Sequence, residues 1–344
     1  MTSSIPPDWH PRPEDELLHE PYGDESFPWK ETWFISLCDA TIGANLTMHM
    51  TRSANRSPST RCCIAAAQGN RMTDQIVRAD GTHDEHHVGN QLSRLENINL
   101  SWDSNHKLRW IGTLDDLEFD LILTGQHFAP LWDTMFHGYY ATGKTDGQFY
   151  CHTEQVIIAE GTLKWKGEKE LPFKGIGWRD RGWGRRKTQA MWDSGWDLLA
   201  AVMPDESVWS IIALRSHEFS KEEPQPVAGW YSDATSLSPC TGGVYHKDSN
   251  MWPRHVELEF LDGHRIVGDQ VRRAGTVVTS MQEAEVSPES PGFAASMRDH
   301  YAIMADDQGR EFLMFSQCGV NHKVDAFRNP QFIYREPAAV PAGS

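Results

Sequence analysis

From Leu117 to Gly125 the chain reads LEFDLILTG. Leu117, Phe119, Leu121 and Leu123 fall on one side of the alternation, Glu118, Asp120 and Thr124 on the other, and Ile122 is out of step. A period of two marks a strand with one buried face. The pattern recurs with turn residues between the runs. TWFISLCDA (32–40) is one, and in IGANLTMHMT (42–51) Ile42, Ala44, Leu46 and Met48 share a side. RCCIAAAQ (61–68), NINLSWD (97–103) and LRWIGTL (108–114) follow. CHTEQVIIAE (151–160) and GTLKWK (161–166) read as two strands, and the turn GEKE leads to LPFKGIG (171–177). Asp197–Met203 and Ser207–Leu214 predict a hairpin over PDE, HVELEFLDGHRIVGDQV one over Asp262-Gly263, and Tyr301–Ala305 with Glu311–Gln317 one over DDQGR.

Helical periodicity is nearly absent; ELLHE (16–20) is too short to count for much. Short strands at spacings of ~8–12 residues predict an all-β chain of antiparallel sandwiches or barrels. The pattern breaks near 185–195, which predicts two β-domains, 27–188 and 189–338, after a proline-rich, acidic, extended arm over 1–26. The run 280–293, SMQEAEVSPESPGF, reads as a polar loop.

Composition narrows the function. At 39% hydrophobic and 23% charged, the 344 residues should fold into compact cores. No apolar run nears the roughly 20 residues that span a bilayer, and the polar N-terminus does not read as a secretory signal. Acids outnumber bases 48 to 32, a formal charge of −16, which argues against nucleic acid and against anionic lipid. Six scattered cysteines without CxxC spacing read as reduced thiols of a cytoplasmic chain. Cys62 and Cys63 are expected in a strand, facing opposite ways. Fourteen tryptophans suit either wide β-cores or aromatic walls around a bulky apolar ligand.

Four segments carry candidate chemistry. THDEHH (82–87) offers His83, His86 and His87 for a metal, against a reading as a solvated loop; no metal is expected. HFAPLWDTMFHGYY (127–140) gathers Trp132, Asp133, Phe136, His137, Tyr139 and Tyr140: rings for apolar area, an acid and an imidazole for proton movement. A core loop is the alternative. In the strand from Cys151, His152 and Glu154 share a face with Val156 and Ile158, and Gln155 shares the other with Ile157. A carboxyl and an imidazole would then stand close together on an apolar wall, where desolvation would bring both toward neutrality.

GIGWRDRGWGRR (175–186) places Trp178 and Asp180 on one face of an extended chain and Arg179, Arg181 and Trp183 on the other. Buried arginines demand partners, so Arg179 is expected to be fixed by a carboxylate. Ion pairing of Arg179 with Asp180 would make this stretch, with Arg181, a structural seam between the two domains; a catalytic Asp180 is the alternative. There is no P-loop around GKT (143–145) and no GxSxG elbow.

From Cys151 to Arg186, CHTEQVIIAEGTLKWKGEKELPFKGIGWRDRGWGRR resembles the junction segment of the hydroxyneurosporene synthase-like (carotenoid 1,2-hydratase) superfamily, where a His/Glu-Gln strand leads into G-x-G-x-RDHSWG-x-R. The resemblance implies two tandem lipocalin-like antiparallel β-barrel or sandwich domains. It also implies a relation to carotenoid hydratases, kievitone hydratase-like proteins and decalin-forming pericyclases, which generally need no metal or organic cofactor. Arg181 and Gly182 stand where the signature has His and Ser, so no histidine carries over there. A proton donor must come from Asp180, Glu154, His152, His137 or Asp133, with Trp132, Phe136, Tyr139, Tyr140, Gln155, Trp178, Trp183 and Trp196 as substrate contacts. Fold transfers from such a resemblance more safely than reaction.

The resulting expectation is a cofactor-independent hydratase, dehydratase or cyclase for a hydrophobic terpenoid-, steroid- or polyketide-like molecule, compatible with a homodimer. A non-catalytic lipocalin-like carrier of a hydrophobic metabolite is the rival, and a metal enzyme built on His83, His86 and His87 a third reading.

Overall fold

The computed structural model describes residues 17–21, 29–53, 59–80, 91–95, 97–103, 107–126, 149–185, 196–214, 227–233, 235–248, 250–281 and 295–321. All of its regular elements among these are strands. The chain divides into two compact units, Ile5–Lys187 and Thr188–Ser344.

The first unit is one antiparallel sheet of ten strands: β1 (Trp29–Asp39), β2 (Ala44–Ser53), β3 (Ser59–Gln68), β4 (Arg71–Asp80), β5 (Gln91–Leu95), β6 (Ile98–Asp103), β7 (Lys107–Thr113), β8 (Leu117–Gly125), β9 (Phe149–Trp165) and β10 (Leu171–Arg185). Their order is β4-β3-β2-β1-β10-β9-β8-β7-β6-β5, so two meanders meet where β1 pairs with β10. The sheet is curled into a half-barrel. Its inner face collects Trp33, Ile35 and Leu37 from β1, Leu46, Met48 and Met50 from β2, Trp110, Leu121, and Ile157 and Ala159 from β9. Each large apolar side chain so buried contributes about 1.5–3 kcal/mol. Trp110 meets Phe119 edge-on at 4.8 Å, and many of the tryptophans, Trp33, Trp110 and Trp178 among them, are core residues.

Three sequence expectations change in detail. The two runs over 151–166 are one strand, because Gly161 (φ +157°) lets β9 lie against β8: a Cβ there would sit 2.0 Å from the Asp120 carbonyl. GIGWRDRGWGR, read as extended chain, makes up the last eleven of the fifteen residues of β10, a central strand hydrogen-bonded on both sides. β4 is an edge strand whose apolar residues do not face consistently inward, with Met72 exposed, and it escaped the alternation test. Cys62 and Cys63 lie in β3, where Cys62 joins the core, and Cys38, Cys62, Cys63, Cys240 and Cys318 are free thiols.

The second unit is a closed eight-stranded barrel of β11 (Trp196–Val202), β12 (Val208–Leu214), β13 (Val227–Ser232), β14 (Leu237–Lys247), β15 (Pro253–Phe260), β16 (Arg265–Met281), β17 (Ala295–Ala305) and β18 (Glu311–Asn321). Closure leaves no edge to protect. Leu199, Trp209, Ile211, Val256, Leu258, Ala302 and Met314 fill its interior. The predicted hairpins over 204–206, Asp262-Gly263 and 306–310 are present, closed by Met203 N–H to Ser207 O (2.8 Å), Phe260 N–H to His264 O (3.0 Å) and Asp306 N–H to Arg310 O (3.1 Å). The sequence reading did not pick out β14, which carries Pro239, Gly242 and Gly243 and has a bulge between Cys240 and Gly242.

Candidate active site

Every residue of β1 is buried, so the sheet is covered on both faces at its centre. The face opposite the apolar core carries the candidate chemistry. In the β9–β10 register Glu154 stands across from Asp180 and His152 across from Gly182. Strand alternation puts His152, Glu154 and Asp180 on one face. The imidazole bridges the two carboxylates: His152 Nδ1 lies 3.6 Å from Glu154 Oε1, and His152 Nε2 lies 3.6 Å from Asp180 Oδ2. The Glu154 side chain is fully buried and that of Asp180 is 19% exposed, so Asp180 is the member of the trio open to an incoming molecule. Gly182 adds no side chain beside His152.

Trp178 shares this face, two residues from Asp180 and wholly buried. Sequence reading missed its neighbours on β1 and β2. Phe34 is the β1 residue across from Asp180, Ser36 the one across from Trp178, and His49 of β2 stands across from Phe34, ring centroids 6.5 Å apart. The parity of β1 would have found them, but apolar residues fall on both of its faces, Phe34 beside Trp33 and Ile35, and hide which side is the core.

Gln155 and Trp183 face the other way. Gln155 Oε1 accepts a hydrogen bond from Arg179 Nε at 2.8 Å. The expected Arg179–Asp180 pairing is corrected here: consecutive strand residues point to opposite faces, which puts Arg179 beside Gln155 and Asp180 beside His152. Arg181 meets a carboxylate. It is buried, ion-paired with Glu31 of β1, and stacked over Trp33 with its guanidinium carbon 4.0 Å from the ring centre. Arg52 Nη1 donates to the same carboxylate at 2.8 Å. Arg181 also donates to the carbonyls of Gly182 (2.8 Å) and Leu17 (2.7 Å), and His19 stacks on Trp183 at 4.5 Å. Residues 17–21 of the N-terminal arm are thereby tied to the sheet. Burial alone would raise the Glu31 carboxyl; the charge of Arg181 and the hydrogen bonds from His19 and Arg181 outweigh it and hold the group at about 2.

Trp132, Asp133, Phe136, His137, Tyr139 and Tyr140 lie outside the described residues, as do His83, His86 and His87. Trp196 opens β11 in the second unit. Among the described residues no group of three or more His, Cys, Asp or Glu is arranged to hold a metal ion, and no helix is long and apolar enough to cross a membrane.

Known structures share this fold. A structure named as a candidate ATTH from Nitrosomonas europaea aligns at 14% identity and a TM-score of 0.60, over 92% of this chain and 99% of that one. CghA aligns at 11% identity and a TM-score of 0.52, over 89% and 93%. Kievitone hydratase from Nectria haematococca aligns at 13% identity and a TM-score of 0.49, over 94% and 96%. A search of the curated proteins finds no match. The likeness is one of fold: an all-β chain with a curled ten-stranded sheet and a closed eight-stranded barrel. A family model, described as "Domain of unknown function (DUF7064)", matches residues 12–308, and the chain belongs to that family.

Proposed function

We propose that the chain is a lyase or isomerase of the hydratase, dehydratase or cyclase type, acting on a hydrophobic terpenoid-, steroid- or polyketide-like molecule without a cofactor. The observation that carries this reading is the buried imidazole held 3.6 Å from two carboxylates of unequal exposure. Such a trio suits proton transfer to and from carbon. Asp180, the exposed member, protonates an alkene carbon or a departing hydroxyl. His152 exchanges protons with Asp180 through Nε2, and Glu154 holds the ring from its Nδ1 side, a division of labour like that of other carboxylate–imidazole pairs. In the hydration direction the alkene takes the proton of Asp180, water adds to the carbocation, and the water's surplus proton returns to the trio. Dehydration is the reverse, and loss of a proton from a neighbouring carbon is isomerisation. Positioned acid–base groups of this kind contribute typically about 10²–10⁴-fold. The contacts at 3.6 Å are longer than hydrogen bonds, as is common before substrate binds.

The test is deuterium transfer. The protein is incubated in D₂O with a panel of isoprenoid and polyketide alkenes and allylic alcohols, and products are followed by mass. Deuterium should enter carbon with the wild type and fall at least about a hundredfold with Asp180→Asn or His152→Gln. Equal incorporation by wild type and both variants removes the trio from the chemistry. A carrier would bind members of the panel and incorporate nothing.

A further inference from the structure

Hydration of an alkene, like its reverse, asks for two proton carriers. One gives a proton to carbon, and the other takes a proton from the water that adds at the neighbouring carbon. Asp180 serves the first step. It serves the second badly, because a carboxylate that has just protonated the alkene stands where it takes the same proton back from the cation. The buried polar groups of the closed barrel, the Lys247–Asp197 ion pair and His300 with its ring 4.5 Å from that of Trp252, belong to an interior filled by side chains such as Leu199 and Trp209. A further imidazole stands in the first unit, on the face of the trio.

Glu154 of β9, Asp180 of β10, Phe34 of β1 and His49 of β2 stand across from one another in one row of the sheet. Residues opposite in register share a face, so His49 is on the side of Asp180, while its neighbours Met48 and Met50 join the apolar core. Strands run about 4.7–4.9 Å apart, which puts the backbones of His49 and Asp180 roughly 9.5 Å from each other. Phe34 fills the place between them, 2% exposed, its ring centre 6.5 Å from that of His49. It keeps the imidazole off the carboxylate, and Asp180 pairs with His152 instead. Thr32 and Ser36, on either side of Phe34 along this face of β1, are buried as well. Solvent still reaches both proton carriers: the Asp180 side chain is 19% exposed and His49 is half-buried. His49 Nδ1 lies 3.5 Å from Oγ1 of Thr51, the next residue on this face of β2. With Nδ1–H donating to that hydroxyl, the basic lone pair is on Nε2.

The spacing fits the reaction. An acid, a double bond, a water and a base in line need about 3–3.5 Å at each reacting contact and about 2.8 Å from water to base, a span on the order of 10 Å with the double bond included. A base as close to Asp180 as His152 leaves no such room. We infer that His49 is a second catalytic residue of the reaction proposed above, on which the assignment rests: it takes the proton of the attacking water. Asp180 gives its proton to one alkene carbon, the π pair forms the C–H bond, and the neighbouring carbon becomes the cation. The water oxygen closes the C–O bond there, and its surplus proton passes to His49 Nε2. An alcohol, an imidazolium and a carboxylate result, with no change of oxidation state. Solvent then carries the proton from His49 back to Asp180, which restores the trio. Dehydration retraces these steps.

Incubating the full chain with the alkenes of the isoprenoid and polyketide panel in D₂¹⁸O separates the two roles. The mass of recovered alkene reports deuterium at carbon, the work of Asp180; the mass of the alcohol reports ¹⁸O, the work of His49. The wild type should show both labels. His49→Gln and the shorter His49→Asn should keep deuterium exchange into the alkene and lose ¹⁸O uptake by at least about a hundredfold. Two variants of different length guard against one that folds badly, and retained deuterium exchange is itself the sign of a folded site. Asp180→Asn should lose both labels together. Uptake of ¹⁸O by both His49 variants at the wild-type rate overturns the assignment and leaves the trio standing. So does an equal fall of the two labels in variants that melt like the wild type, because His49 would then serve the protonation step. Deuterium entering as fast with Asp180→Asn as with the wild type, or entering no panel member at all, refutes the proposed reaction itself and takes the role of His49 with it.

Discussion

Arg181→Met tests how the first unit is held together, because Arg181 is a buried cation paired with the buried Glu31 carboxylate. The substitution keeps an unbranched apolar stem and removes the guanidinium with its charge. Glu31, wholly buried, is left with Arg52 at 2.8 Å and His19 at 3.3 Å. The carbonyls of Leu17 and Gly182 lose a donor, and Trp33 loses the cation stacked at 4.0 Å. Removing one partner of a buried pair costs about 3–5 kcal/mol, mostly through the stranded charge. A second estimate comes from the carboxyl itself. Its pKa falls from 4.5 to about 2 on folding, and 2.5 pH units at about 1.36 kcal/mol each give roughly 3 kcal/mol. The sign follows from the lowered pKa: this stability is present above pH 4.5 and is lost as pH falls toward 2. The two estimates overlap, as they should if Arg181 is the chief cause of the shift. Urea unfolding followed by tryptophan fluorescence at pH 7 and at pH 3 reads both. Arg181→Met should lose about 3–5 kcal/mol at pH 7 and show a shallower acid dependence than the wild type. Adding Glu31→Gln should recover part of the loss, since the fully buried carboxylate is then uncharged, while Arg52, paired with it at 2.8 Å, keeps only a neutral acceptor. A loss below about 0.5 kcal/mol, typical of a surface change, or a double variant no more stable than the single one, would refute the account.

Three further outcomes are expected. His300, neutral in the fold with a pKa lowered from 6.5 to about 3, should make the barrel acid-labile: its contribution is complete above pH 6.5 and falls as pH drops toward 3, by up to about 5 kcal/mol. Unfolding of His300→Phe across that window should lack this slope; an unchanged slope assigns it to other groups. Lys247→Met alone should cost about 3–5 kcal/mol by stranding Asp197, and Asp197→Asn with Lys247→Met much less; thermal melts of the two variants compare them, and equal losses would mean the pair is not coupled. Gly177→Ala should destabilise the first unit by about 1–3 kcal/mol, because a Cβ there would lie 1.9 Å from the Ser36 carbonyl and push β10 away from β1; a neutral melt would show that the strands yield.

The alternation of LEFDLILTG and of Ala44, Leu46 and Met48 fixed which strands exist and which side of each faces the core, because side-chain direction in a strand follows from local geometry alone. The same parity argument put His152 with Glu154, and Trp178 with Asp180, on common faces. The chain alone could not say that those two faces are one. That depends on the β9–β10 register, in which Glu154 meets Asp180, and register is set by pairing between residues far apart in sequence. For the same reason the partner of Arg181 was out of reach: Glu31 lies 150 positions away and Leu17 lies 164 away. Strand β1 concealed its role because both of its faces are buried, which erases the alternation that marks a one-sided strand. Asp197, Lys247 and His300 carry no local signal, since three single polar residues on three strands become a cluster only when the barrel closes. The sequence by itself determined the strand pattern, the all-β class and the acid–imidazole pair on β9. Tertiary structure decided which distant residues share a face, and so which of them can pass a proton or hold a charge.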